Sequence, residues 1–362
     1  MRSLLLACII VVIAAAPTGV LARTWHVPSE VATIQAAIDS AAAGDTVLVA
    51  TGTYTWSGQA TGNANGLIRM KSGVTLRSAT GSAECVTLDA EYMGRVIHCE
   101  GVDNTAKIQG FTIINGLIND YSIDGPGAGI YCKASSPAIT NCDFKDNNAL
   151  ESTGGGLACY ESSSPTVQDC ILHANSADLQ GGGIICVDES SANITRCTFS
   201  DNISGFYGGA LECDYNSDVT VTNCTLSGNR AASGGGISCW HSSPRIETTI
   251  IAYSKAGGAV YCDEAASPTL SCCDIYHNTG GDYTGCIAGM NGVDGNFSMC
   301  RSFCLHDVMP YDFSLCDESP CLPGNHPDAY VCGLIGAWPM GCICGPSRLE
   351  TTAWGMIKAM YR

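Results

Sequence analysis

Positive charge is scarce in this chain. Its 362 residues carry 17 Lys and Arg against 34 Asp and Glu, a formal net charge of −17. Such a polyanion is repelled by nucleic acid and by anionic membrane. It is repelled by acidic polysaccharide too, unless a divalent cation bridges the two. Charge of either sign is sparse, aromatics are few and glycine is abundant. That balance excludes a charged, disordered chain and suits buried strands joined by tight turns. Beyond residue 22 no apolar run is long enough to cross a bilayer as a helix, so no integral membrane segment is expected after it.

What is present begins with an export signal. Arg2 gives the positive start, residues 4–16 the apolar run, and Val20, Leu21 and Ala22 a cleavage site, so residues 1–22 read as a signal peptide. Export permits disulfides, and the chain holds 23 cysteines. Their spacing does not suit zinc, because most recur once per repeat. A close-spaced group at the end (Cys300, Cys304, Cys316, Cys321, Cys332, Cys342 and Cys344) is expected to form disulfides whose pairing the spacing leaves open.

The repeat is explicit. Six phrases, GAGIYC, GGGLAC, GGGIIC, GGALEC, GGGISC and GGAVYC, end at Cys132, Cys159, Cys186, Cys213, Cys239 and Cys262, advancing by 27, 27, 27, 26 and 23 residues. A second set, Cys142, Cys170, Cys197 and Cys224, is followed by Asn147, Asn175, Asn202 and Asn229. A period of this size means one supersecondary unit stacked on copies of itself. Within a unit, Leu157 and Cys159 share a face with a period of two, residues 162–165 turn, and residues 166–168 and 170–172 form two further short strands.

The expected fold is all-β: a single-stranded right-handed parallel β-helix of about 10–12 coils, with an N-terminal capping helix and a Cys-rich C-terminal cap. The helix is expected over residues 33–42, with Ile34, Ala37, Ile38 and Ala41 on one side. Stacked asparagines suit the bends at Asn141 and Asn223 because Asn tolerates left-handed backbone. The sequons at Asn193, Asn202, Asn223 and Asn296 fall on these turns. The expected organisation is a signal at 1–22, a cap at 23–44, the β-helix at 45–285 with regular coils at 127–278, a Cys-rich segment at 286–345 and a tail at 346–362.

The start, TIQAAIDSAAAGDTVLVATGTYT over residues 33–55, resembles the first coil of the pectin lyase-like superfamily, which implies the β-helix fold. Gly208-Gly209-Ala210-Leu211 and Gly257-Gly258-Ala259-Val260 are similar to the GGA[ILV] phrase of chlamydial polymorphic outer-membrane proteins. Phe144…Asn147 and Phe199…Asn202 are similar to their FxxN phrase. That resemblance implies a surface or adhesive role. The GHG and RIK-type phrases of polygalacturonases and the QDTL and LGRPW phrases of pectin methylesterases are missing. Pectate lyases pair Ca²⁺-binding acids with a catalytic arginine, and only Arg196, Arg230 and Arg245 occur within residues 127–278.

If the repeat cysteines point inward, their neighbours form outward rows. One reads Lys133, Tyr160, Val187, Asp214, Trp240, Asp263; the next reads Ala134, Glu161, Asp188, Tyr215, His241, Glu264. Rings on a flat sheet stack on sugars, and grouped carboxylates hold Ca²⁺. Tyr160, Asp188, Glu212, Asp214, Tyr215, Trp240, His241 and Asp263 are therefore the candidate substrate-binding residues, with a Ca²⁺ site at Asp188, Glu212 and Asp214. The plainer reading is that these positions simply face solvent.

Taken together, the expectation is a secreted or cell-surface monomer that binds polysaccharide or a surface glycan without catalysis. A Ca²⁺-assisted lyase, a glycoside hydrolase with an unfamiliar site, and a structural surface-layer spacer are the alternatives.

Overall fold

Every strand of the repeat pairs in parallel with the same strand of the next coil, which produces sheets of ten, nine, eight and four strands. The computed structural model describes residues 21–59, 66–119, 125–299, 303 and 313–342; the signal and the tail at 346–362 lie almost entirely or wholly outside them. Traversing all three long sheets gives about eight complete turns, and the ten-strand sheet extends past them. In the unit read above, the strands are Leu157–Tyr160, Thr166–Gln168 and Ile171–His173. A fourth two-residue strand, Ser176–Ala177, was not foreseen; it is too short to carry a period.

Stacking in register turns each inward position into a column. Val167, Ile194, Val221 and Ile246 line one wall, Phe144, Leu172, Phe199 and Leu226 the second, and Leu157, Ile184, Leu211 and Ile237 the third, all buried. Each such side chain contributes roughly 1.5–3 kcal/mol of burial. Cys132, Cys159, Cys186, Cys213 and Cys239 fill the neighbouring column as buried thiols. Burial pushes the Cys213 and Cys239 thiols well above their usual range. Unreactive packing groups are the result.

Polar columns hold the corners. Asn147 Nδ2 donates to Asn175 Oδ1 at 2.9 Å, Asn175 to Asn202 at 3.0 Å and Asn202 to Asn229 at 3.0 Å. Each amide also donates to a main-chain carbonyl one coil back, as Asn202 does to Leu172 O. A second column, Ser163, Ser190, Ser217 and Ser242, takes main-chain N–H groups from coil to coil. Asn141 and Asn223 adopt φ of 52° and 51°, as the bend reading requires. Asn202 and Asn296 are buried and Asn223 donates to Leu334 O, so Asn193 is the one sequon asparagine with an exposed side chain.

The helix is Ile34–Ser40, where Thr33 Oγ1 accepts the Ala36 N–H and Ile34, Ala37 and Ile38 are buried. Its Gln35 amide meets the edge strand of the eight-strand sheet. Arg69 N–H donates to Gln35 Oε1 at 2.7 Å, and Gln35 Nε2 donates to Arg69 O at 3.3 Å. A side-chain amide thus takes the place of a missing strand.

At the other end, residues 279–297 cross the last coil, where Tyr283 donates toward Cys273 O and Phe297 O. The Cys-rich segment then leaves the stack. Residues 313–342 run back along the outside of the nine-strand sheet, where Ala337 N–H donates to Thr225 Oγ1 and Trp338 Nε1 to Thr198 Oγ1. Ile250, Ala252, Tyr276, Leu315 and Ile335 form a second apolar cluster beneath it.

Disulfides join Cys262 to Cys286 and Cys272 to Cys332. Of the expected group, Cys332 is therefore bonded to a cysteine of the repeat, and Cys316 is disulfide-bonded. Cys321 is a correction: it remains a thiol, buried between the strap and the sheet, where it donates to Asp274 Oδ2. Cys300, Cys304 and Cys344 lie outside the described residues, as does the Cys342 side chain.

Candidate functional site

The candidate face lies on the outside of the eight-strand sheet, and part of it is roofed. The first glycine of each cluster has positive φ, and Gly154, Gly181, Gly208 and Gly234 lie against the outward residue four positions on. A Cβ on Gly208 (φ 63°) would stand 2.8 Å from Glu212 Cα, so only glycine lets the chain close over its own strand there. The roofing segments bridge one another from coil to coil, Gln180 to Tyr207 to Ser233.

The roof encloses one outward row. Ala158, Ile185, Glu212 and Ser238 occupy equivalent positions and are fully buried. Each coil is an internal control for the next. At this position the fold accepts a methyl, a sec-butyl group and a hydroxyl, so nothing about folding asks for a carboxyl. Yet both Glu212 carboxyl oxygens are buried without a hydrogen-bond partner, as are Ser238 Oγ and Asp214 Oδ1. Burial pushes the Glu212 carboxyl well above its usual range. Ser238 lies near enough to offset part of this without meeting hydrogen-bond geometry, and Asp214 adds to the rise.

Two residues further along the strand, on the same side, Asp214 is raised to about 6 by burial, while the Tyr215 main-chain N–H and His241 oppose the rise. Asp214 pairs in register with Trp240. Beside it, His241 Nδ1 stands 2.8 Å from Asp263 Oδ2, and Asp263 Oδ1 accepts the His241 main-chain N–H at 3.1 Å.

Rings frame these acids. Tyr207 lies 5.8 Å from Trp240 and 5.7 Å from Tyr261, centroid to centroid. Tyr215 stacks on His241 at 6.3 Å with an interplanar angle of 15°. Tyr215 is 56% exposed, whereas Tyr207, Trp240 and Tyr261 are half-buried.

Several expectations change. Tyr160 is buried, its hydroxyl bonded to Thr153 Oγ1 at 2.9 Å, and it packs with Ala158, Ile185 and Val187. Glu212 and Asp214 are likewise buried, because the roof covers what the alternation marked as solvent-facing. The three acids assigned to Ca²⁺ do not come together as a metal site. Among the described residues no group of three His, Cys, Asp or Glu could hold a metal ion. Ile185 is the register partner of Glu212, so Asp188 sits three residues along the strand, about 10 Å away, and is exposed. Asp188, Asp214, Tyr215, Trp240, His241 and Asp263 do share one end of the face. Tyr207, Ser238 and Tyr261 were missed. The signal for the roof was available in Ile185 and Val187, apolar residues on outward rows.

Residues 96–252 match the family described as the right-handed beta helix region. The chain folds as a right-handed parallel β-helix. A search of curated proteins returns no match. Among solved structures, pectate lyase Pel9A aligns over 89% of this chain and 98% of its own at 13% identity, with a TM-score of 0.44. Within this β-helix the phrases that resembled adhesin repeats serve the fold: Phe144 and Phe199 fill the core, and Asn147 and Asn202 belong to the asparagine column.

Proposed function

We propose that this chain is a secreted or cell-surface monomer that binds carbohydrate through the ring-and-acid strip around Tyr207, Tyr215, Trp240, His241 and Tyr261. The observation that supports this most is the association of five rings from successive coils on one sheet face, with Asp214 and Asp263 between them. Sugar rings stack on such surfaces, and carboxylates accept their hydroxyl hydrogens. Adhesion to a glycan-bearing surface is the same chemistry in a cellular setting.

A specific observation favours glycoside hydrolysis as a second reading. Glu212 and Asp214 lie on one side of a strand with their Cα atoms roughly 6.6 Å apart. Burial favours the protonated form of Glu212, as a general acid requires, while Asp214 is raised only to about 6. A lyase is less well supported: Arg196 is engaged by Asp169 and Arg245 by Glu247, elsewhere on the coil.

The test is a glycan array with the wild type and Trp240→Ala, alongside a reducing-sugar assay on every glycan retained. Retention that Trp240→Ala weakens, with no sugar released, supports binding alone. Release that Glu212→Gln abolishes supports hydrolysis, and no retention of any glycan overturns the carbohydrate reading.

A further inference from the structure

The buried, unpartnered polar atoms of Glu212, Ser238 and Asp214 lie on the same side of two adjacent strands. Glu212, Ser238 and Tyr261 are register neighbours on three consecutive strands, and Asp214 and Trp240 are register neighbours alongside. The Tyr207 ring lies within 6 Å of both the Trp240 and Tyr261 rings, which belong to these same strands. The site therefore has two carboxyl groups with unpartnered buried oxygens against a single neighbouring hydroxyl, and aromatic rings beside them. A divalent metal would need six to eight oxygen ligands and finds no such set here. A nitrogen cation fits both parts. Ring faces attract it within about 6 Å of their centroids, and its N–H groups donate to the buried carboxyls.

We propose that Glu212, Asp214, Ser238, Tyr207, Trp240 and Tyr261 form a subsite for a protonated amine, and that the glycan bound by this face carries free amino groups. The proposal rests on the carbohydrate reading above and names its ligand class. The chain's excess of 34 acidic over 17 basic residues favours the approach of such a polycation and disfavours uronates. Glu212 acquires a reason that the fold does not supply. An ammonium beside it compensates a carboxyl that otherwise lies buried and unpaired.

The experiment is calorimetric titration of the full secreted chain with three tetramers of matched length: β-1,4-linked glucosamine, its N-acetylated counterpart and the β-1,4-glucose tetramer. Ethylammonium, a protonated amine without a sugar ring, is titrated in parallel. The proposal predicts at least tenfold tighter binding of the free-amine tetramer than of the N-acetylated one. Glu212→Gln and Asp214→Asn should each reduce that preference below about threefold, weakening the free-amine tetramer at least threefold more than the N-acetylated one.

Equal affinity for all three tetramers overturns the amine subsite and leaves the carbohydrate reading standing. Ethylammonium binding that Asp214→Asn abolishes, without binding of any tetramer, supports the cation subsite and overturns the carbohydrate reading. No binding by any of the four overturns both. If Glu212→Gln fails to fold, Tyr261→Leu decides: it removes a ring wall and must lower the free-amine preference.

Discussion

The Tyr207 ring, carried by the segment that precedes one glycine cluster, stands 5.7 Å from the ring of Tyr261, two coils further along. The roof buries Ser238, the register neighbour of Tyr261, and Glu212 next to it. It converts a row that strand alternation would leave in water into an enclosed, acid-floored site.

Stability should follow the protonation of that floor. The ordinary values are 4.5 for Glu and 3.8 for Asp, and both carboxyls titrate higher in the folded chain. The fold therefore binds these protons more tightly than the unfolded chain does. The stability so gained is fully present below about pH 4 and is lost as pH rises through the folded values, about 6 for Asp214 and higher for Glu212. Glu212→Gln and Asp214→Asn should match or fall below the wild-type Tm at pH 4 and exceed it increasingly from pH 6 to pH 8. Thermal scans across that range decide. A constant offset at every pH contradicts the burial of these groups.

Asn202 is the central link of its column. Truncating it to alanine removes the acceptor for Asn175 Nδ2 and the Asn175 N–H, and the donor to Leu172 O and Asn229 Oδ1. With several buried polar groups left unpaired, Asn202→Ala should cost roughly 3–6 kcal/mol. Asn193→Ala, at an exposed strand position, should cost about 0.5 kcal/mol or less. Denaturant midpoints compare the two.

Gly155 shows why the clusters are glycine. A Cβ there would meet Ser176 O at 2.4 Å and Gly182 O at 2.5 Å, both main-chain atoms in a stacked coil. Gly155→Ala should lower stability by about 1–3 kcal/mol or more. Gly289→Ala, where a Cβ meets nothing within 4 Å, should be close to neutral.

The strap of residues 313–342 is tied down by Cys272–Cys332 and by hydrogen bonds from Ala337 and Trp338. Cys332→Ser should cost roughly 2–4 kcal/mol. Hydrogen exchange should rise first at residues 225–227 and 250–252 beneath the strap, with little change near Leu157–Tyr160. Uniform loss of protection along the stack would contradict an independent strap.

The columns were legible because a parallel stack repeats its demands. Cys159, Leu172 and Asn175 recur at fixed spacing since each sits on its own copy, and periodicity reports that directly. The roof was not legible in the same way. Alternation says that Tyr160 and Glu212 leave the core, not whether another segment covers them afterwards. The strap was hidden for a related reason: Trp338 reaches Thr198 across 140 positions of sequence through contacts that no period encodes. The acids and rings of the site were found in part because Asp214, Trp240 and Asp263 share a row. Tyr207 escaped because it lies between strands.

The most direct test of the account is retention of Tyr207→Ala, Trp240→Ala and Tyr160→Ala in native gels cast with the glycan that holds the wild type. The account predicts that Tyr207→Ala and Trp240→Ala migrate freely while keeping far-ultraviolet spectra of the wild type. Tyr160→Ala, a packing residue, should lower Tm and still be retained. Undiminished retention of both Tyr207→Ala and Trp240→Ala would contradict it.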